Sequence, residues 1–292
     1  MRVGLIDVDN HNFPSLPLMK LSAWHKQQGD NVEWYDPLTA WIHPPDKVYM
    51  SKVFTFTPDY QHPVCGGEII RGGTGYHYPD GGDPLPKEIE HIYPDYSIYP
   101  DLCKDTAYGF LTRGCPRGCD FCIVAKKEGQ CSVKVADLSE FWNGQKNIVL
   151  LDPNMFACRD WRELSQQLID SCAWVDFSQG CDIRIMTEEK AEYIRRMKIK
   201  QVHFAWDRYE DRNFIIPKFE MFKNLTGWDH RKMTVYILCG FNTTIEQDLE
   251  RIYTLRDLGY SPYVMIYDKY KLKPKDDLKR MHQNGQKDAG LR

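Results

Sequence analysis

Three cysteines fall within eight positions of the stretch "RGCPRGCDFCIVAKK": Cys115, Cys119 and Cys122. Thiols this close together commonly serve a disulfide, a zinc clip or an iron–sulfur cluster. Zinc takes four ligands, usually as two separated Cys-x2–4-Cys pairs that fold around the ion. Here the pairs overlap as C-x3-C-x2-C, and no fourth ligand stands nearby at a comparable spacing. Cys103 lies twelve residues before the run and Cys131 nine after it; either could join, but neither keeps the rhythm. Composition alone would produce such a triple in roughly one chain in a hundred. Three thiolates suit a [4Fe–4S] cluster with one iron left open, since a fully protein-bound cluster takes four cysteines. The other seven cysteines, Cys65, Cys103, Cys131, Cys158, Cys172, Cys181 and Cys239, are scattered singly and read as small buried hydrophobes.

The elements around this loop alternate. "RVGLIDVD" is a short apolar run ending in acids, which suits a buried parallel strand. "SLPLMKLSAWHKQQGD" spaces Leu16, Met19, Leu21 and Trp24 as a helix, with Gly29 as its stop, and "NVEWYD" returns as a strand. "KVYMSKVFTFT" supplies a third strand, while residues 58–100 carry most of the Pro and Gly punctuation and read as loops and a linker. Residues 1–98 are therefore expected to form a Rossmann-like parallel sheet. From about residue 105 strand and helix repeat: "AYGFLTRG", "NIVLLDPN", "VDFSQGCDIRIM", "QVHFAWD", "TVYILCGFN" and "SPYVMIYD" are the strands, with helices such as "WRELSQQLIDSCAW", "TEEKAEYIRRMK" and "TIEQDLERIYTLRDLG" between them. Thr187 reads as the N-cap of the second. Six such units predict an α/β sheet over residues 99–270, open or curled as a partial barrel, short of the eight units of a closed one. Residues 271–292 form a basic tail.

With these elements in place the chain resembles the radical S-adenosylmethionine (SAM) enzymes, over about residues 105–270. Their hallmark is C-x3-C-x-aromatic-C in the loop after the first strand of a partial (β/α)6 barrel, and Cys115, Cys119, Phe121 and Cys122 stand in that order. The resemblance implies that the three cysteines hold a [4Fe–4S] cluster, that SAM binds its open iron, and that an electron from the cluster cleaves SAM to a 5′-deoxyadenosyl radical for C–H activation. Phe121 would pack near the adenine, and an electron donor such as a flavodoxin or ferredoxin is implied.

Parallel α/β folds place function at the carboxyl ends of their strands. Those ends supply Asp152 and Asn154, Asp182 and Arg184, Asp207, Gly240 and Asn242, and Tyr267 and Asp268. Arg184 could neutralise the SAM carboxylate, since a guanidinium pairs bidentately; Asp182 or Asp207 could hold ribose hydroxyls. Each also has an ordinary reading as a helix cap or structural ion pair. The chain departs from the family in one place. Many members carry a Gly-Gly-Glu-like stretch after the second strand to receive SAM's amino group, and this chain has "LLDPNMF". That pattern resembles the subgroup with an N-terminal cobalamin-type domain, as does the Rossmann-like first domain. Asp9 to Pro14 partly match the D-x-H-x-x-G loop of some cobalamin proteins, with His11 at the position that would offer cobalt a ligand and Pro14 in place of the glycine.

Composition narrows the rest. The chain has 292 residues with 42% hydrophobic and 27% charged, an ordinary globular balance. No apolar run approaches the roughly 18 residues of a membrane helix, and "MRVGLIDVDNHNF" does not read as a signal peptide, so a cytoplasmic location is expected. Net charge is −3, which favours a small-molecule or peptide substrate over nucleic acid. The last 24 residues are basic, leaving open a nucleic-acid-modifying enzyme guided by that tail and by Trp228 and Tyr270. The same residues are also compatible with a cobalamin-dependent methyltransferase or a non-catalytic iron–sulfur protein.

Overall fold

The computed structural model describes residues 1–10 and 12–267. His11, Asp268 and the basic tail lie outside the described residues. The chain forms two compact units: residues 1–109, 114–130 and 136–146 in the first, and 110–113, 131–135 and 147 onward in the second. Among the described residues no helix is long and apolar enough to cross a membrane.

The first unit opens with β1 (Arg2–Asp7), whose Val3, Leu5 and Ile6 are almost fully buried, as a strand covered on both faces requires. Helix α1 (Leu16–Gln27) buries Leu16, Leu18, Met19 and Leu21 and ends before Gly29, which takes a left-handed φ of 78°. Then come β2 (Asn31–Trp34), α2 (Pro37–Ile42) and β3 (Lys47–Ser51). The third strand stops at Ser51, well short of the expected "FTFT". A fourth strand, β4 (Glu68–Gly72), runs parallel to β3 inside the stretch whose Pro and Gly content predicts loop, and α3 (Lys87–Glu90) adds a helical turn. The sheet order is β2-β1-β3-β4, all parallel. The glycines that suggest loop are what admit β4: a Cβ on Gly67 would lie 2.7 Å from the Asp46 carbonyl oxygen, too close for any side chain. β5 (Thr106–Gly109) forms within "AYGFLTRG", where a strand is expected.

In the second unit β6 (Thr112–Arg113) pairs antiparallel with β7 (Val133–Lys134), and the short helix α4 (Val124–Lys127) lies between them in the chain. Then β8 (Asn147–Leu150), α5 (Trp161–Ser171), β9 (Trp174–Phe177), α6 (Glu188–Arg196), β10 (Lys198–Ala205), α7 (Arg212–Thr226), β11 (Met233–Cys239), α8 (Ile245–Asp257) and β12 (Ser261–Ile266) alternate strictly. β8 to β12 lie side by side in chain order, every pair parallel. This is the parallel α/β sheet that the sequence pattern predicts. Helix α7 holds Pro217 in its interior, where the ring removes one backbone bond. Ile215, Phe219 and Phe222, at helical spacing and at most 1% exposed, anchor it through that defect.

Thr187 caps α6 as expected, its hydroxyl accepting from the Lys190 amide at 3.3 Å. Thr187→Ala should therefore cost about 1 kcal/mol, read as a lower midpoint in urea with an unchanged slope.

Candidate functional site

The cysteine loop, residues 114–130, packs with the first unit. It is closed by the Cys115 amide donating to the Gly129 carbonyl (3.1 Å) and tightened by a turn in which the Cys122 amide donates to the Cys119 carbonyl (2.9 Å). Gly118 sits at φ +55°, the left-handed conformation that lets the chain reverse between Cys115 and Cys119. All three cysteines are half-buried, and Phe121 beside them is half-buried too. Among the described residues no three His, Cys, Asp or Glu side chains are gathered as a metal-binding group. What the loop offers is a donor set: three soft thiols on one closed segment, chemically fit for iron–sulfur ligation.

At the strand ends of the second unit the predicted residues divide. Asp182, Arg184 and Asp207 come together. β9 ends at Phe177, earlier than the sequence suggests, and Asp182 caps a 3-10 turn (Ile183–Ile185) beyond it, accepting from the Arg184 amide (3.0 Å) and Nε (2.7 Å). Arg184 also reaches Asp211 at 3.4 Å. Burial raises the pKa of Asp207, while Arg184 and Arg251 pull it back and Asp182 adds to the rise. The result is a compact cluster of three carboxylates around one guanidinium.

Asp152 and Asn154 follow directly after β8. Asp152 is 4% exposed, and its carboxylate accepts from the Leu111 amide (3.1 Å), the Thr112 amide (2.5 Å) and the Thr112 hydroxyl (2.7 Å). It clamps the segment that starts β6 to the end of β8. Asn154 is buried, and its carbonyl accepts from Ser132 at 2.9 Å. Burial pushes the Asp152 pKa up to about 6, despite those three donors. A carboxyl whose pKa is higher folded than unfolded stabilises the fold most below its unfolded value and loses that contribution as pH rises through the folded value. The stability difference between wild type and Asp152→Asn should therefore shift against wild type as pH is raised from 4 to 6, measured by denaturant titration at each pH.

Gly240, at φ +76°, donates its amide to Asp248 (3.0 Å). Asp248 in turn pairs with Arg251, and both side chains are 0% exposed. Arg251 donates to the carbonyls of Trp206 (2.6 Å), Asp207 (3.1 Å) and Leu238 (2.8 Å), so this pair fixes the ends of β10 and β11. Nothing in "TIEQDLERIYTLRDLG" sets the pair apart from the solvated charges of an ordinary helix, except its i, i+3 spacing.

In the first unit, a cavity of about 470 Å³ opens at the carboxyl ends of β1 and β2, lined by Asp7, Asn10, Trp34, Tyr35, Tyr60 and Tyr99 among others. Tyr99 donates to Asp7 at 2.6 Å, and burial raises the Asp7 pKa. Asp9, the first residue of the partial D-x-H-x-x-G match, accepts from the amides of Val53 (2.5 Å) and Phe54 (3.3 Å), so its carboxylate holds the loop after β3.

No family model and no curated protein matches this chain. Among solved structures, the radical SAM methyltransferase TsrM from Kitasatospora setae, with cobalamin and a [4Fe–4S] cluster bound, has a TM-score of 0.61 at 12% identity, over 91% of this chain and 74% of that one. A second structure of TsrM, with its tryptophan substrate and the SAM analogue aza-SAM, matches with the same TM-score and identity over 91% of this chain and 72% of that one. At such identity the likeness is one of fold: an α/β fold with parallel sheets of the kind found in a radical SAM enzyme.

Proposed function

We propose that the chain is a radical SAM enzyme acting on a small-molecule or peptide substrate. The observation that carries this reading is the three-cysteine loop with its intervening aromatic, carried by a chain whose fold matches a radical SAM structure over 91% of its length. Cys115, Cys119 and Cys122 would hold a [4Fe–4S] cluster with one iron left for SAM, which together supply a 5′-deoxyadenosyl radical for C–H activation. The chain's own residues bind and orient. Arg184 offers a guanidinium for a carboxylate, Asp182 and Asp207 offer acceptors for ribose hydroxyls, Gly240 and Asn154 shape the backbone at the strand ends, and Phe121 offers a ring for the adenine. Asp152 serves by holding β6 in place. A flavodoxin or ferredoxin would supply the electron. The test is anaerobic reconstitution with iron and sulfide, then SAM and a reductant, with 5′-deoxyadenosine assayed by mass spectrometry. A chain that carries its cluster and forms none is not such an enzyme.

A second reading, a cobalamin-dependent radical SAM methyltransferase, is favoured by the cavity at the strand carboxyl ends of the first unit and by the cobalamin of TsrM. His11 would be the cobalt ligand. Hydroxocobalamin retained through gel filtration by wild type and lost by His11→Ala supports it; no retention by wild type excludes it.

A further inference from the structure

The sheet of the second unit has two unlike faces. Val202, Phe204 and Trp206 are buried on the helical side, where Phe204 packs edge-on against Phe219 and Phe222 of α7. The alternate positions carry polar groups on the opposite face. Asp176 of β9, His203 of β10 and Tyr236 of β11 stand side by side there, and Tyr263 of β12 lies in register with Tyr236 and meets it edge-on.

The details are not those of an ordinary core histidine, which has both nitrogens satisfied. Nδ1 of His203 lies 3.0 Å from the Phe177 carbonyl oxygen. A carbonyl only accepts, so Nδ1 carries the proton and Nε2 keeps its lone pair. The ring is stacked parallel on Tyr236 at 5.1 Å. Oδ1 of Asp176 is buried 3.7 Å from Nδ1 and has no hydrogen-bond partner among the described residues. Burial lowers the His203 pKa and raises that of Asp176, which favours the neutral imidazole. Around this group the same face exposes aromatic and apolar surface: Trp174 is 46% exposed, Tyr263 37% and Met265 46%.

We propose that this face binds an aromatic molecule bearing one O–H or N–H donor, with His203 Nε2 as the acceptor and Asp176 and Tyr236 as the residues that position the imidazole. The site is built from β9 to β12 alone and does not depend on the cysteine loop carrying a cluster.

The test uses the full chain labelled with ¹⁵N in its histidine rings, titrated with phenol and with anisole, which has the same ring but no donor. The His203 signals should show the Nδ1–H tautomer, and phenol should move the Nε2 resonance saturably. Anisole should bind more weakly by about fivefold or more, the worth of one hydrogen bond. Asp176→Asn should weaken phenol by a similar factor, whereas Tyr236→Phe, which keeps the stacked ring, should leave it nearly unchanged. For His203→Phe, which keeps a ring over Tyr236 but has no acceptor, calorimetry should show the same loss for phenol and none for anisole. An Nε2–H tautomer, equal shifts from the two probes, or no shift at any phenol concentration that leaves the chain folded would overturn the proposal.

Discussion

Cys122→Ala should leave the anaerobically reconstituted chain without cluster absorbance or bound iron, while Cys131→Ala keeps both. The reason is the donor count. With three thiols and one open iron no protein ligand is spare, so losing any one removes a third of the attachment. Even changes to residues that only support a metal's ligands cost 10–100-fold, so removing a ligand should lower 5′-deoxyadenosine formation by on the order of 100-fold or more. Cys131 is exposed and off the rhythm of the motif, which is why it serves as the control. Cys115→Ala and Cys119→Ala should behave as Cys122→Ala does. The opposite pattern, with Cys131→Ala losing the cluster and Cys122→Ala keeping it, would mean that Cys131 and not Cys122 is the third ligand.

Arg251→Met should be among the most destabilising single changes in the second unit, at about 3–5 kcal/mol. The substitution strands Asp248 as a fully buried charge and strips the carbonyls of Trp206, Asp207 and Leu238 of their donor. For a protein of this size that corresponds to a fall in Tm of roughly 10 °C. Arg256→Met, on the exposed side of the same helix, should stay within about 0.5 kcal/mol. Asp248→Leu added to Arg251→Met should recover part of the loss, because the stranded charge is gone. A single variant that melts with wild type would show the pair to be dispensable. Because Arg251 also touches the Asp207 carbonyl, the variant is expected to loosen the carboxylate cluster at the strand ends.

The parallel strands of both units are legible in the sequence because their apolar runs are short, continuous and bounded by acids or glycine. β4 is not, since its glycines look like loop punctuation and show their purpose only where β3 approaches at Gly67. α7 is hidden by Pro217, although the spacing of Ile215, Phe219 and Phe222 carries the signal. At the site, Asp182, Arg184 and Asp207 can be found because polar residues ending successive strands of one sheet converge. Asp152 looks identical in sequence, and only the Leu111 and Thr112 donors, some forty residues away, reveal that its carboxylate is engaged. His203 is inconspicuous inside "QVHFAWD", where a single histidine in an apolar strand reads as core. Its neighbours Asp176 and Tyr236 lie on other strands, so no spacing along the chain announces the group.

The proposed chemistry turns on one iron being left without a protein ligand. Electron paramagnetic resonance of the dithionite-reduced, reconstituted chain, recorded before and after SAM is added, tests this most directly. A site-differentiated cluster on Cys115, Cys119 and Cys122 predicts that SAM shifts the g-values of the reduced cluster and that Cys122→Ala gives no cluster signal at all. A spectrum untouched by SAM would contradict it, and would mark the cluster as fully ligated by the protein.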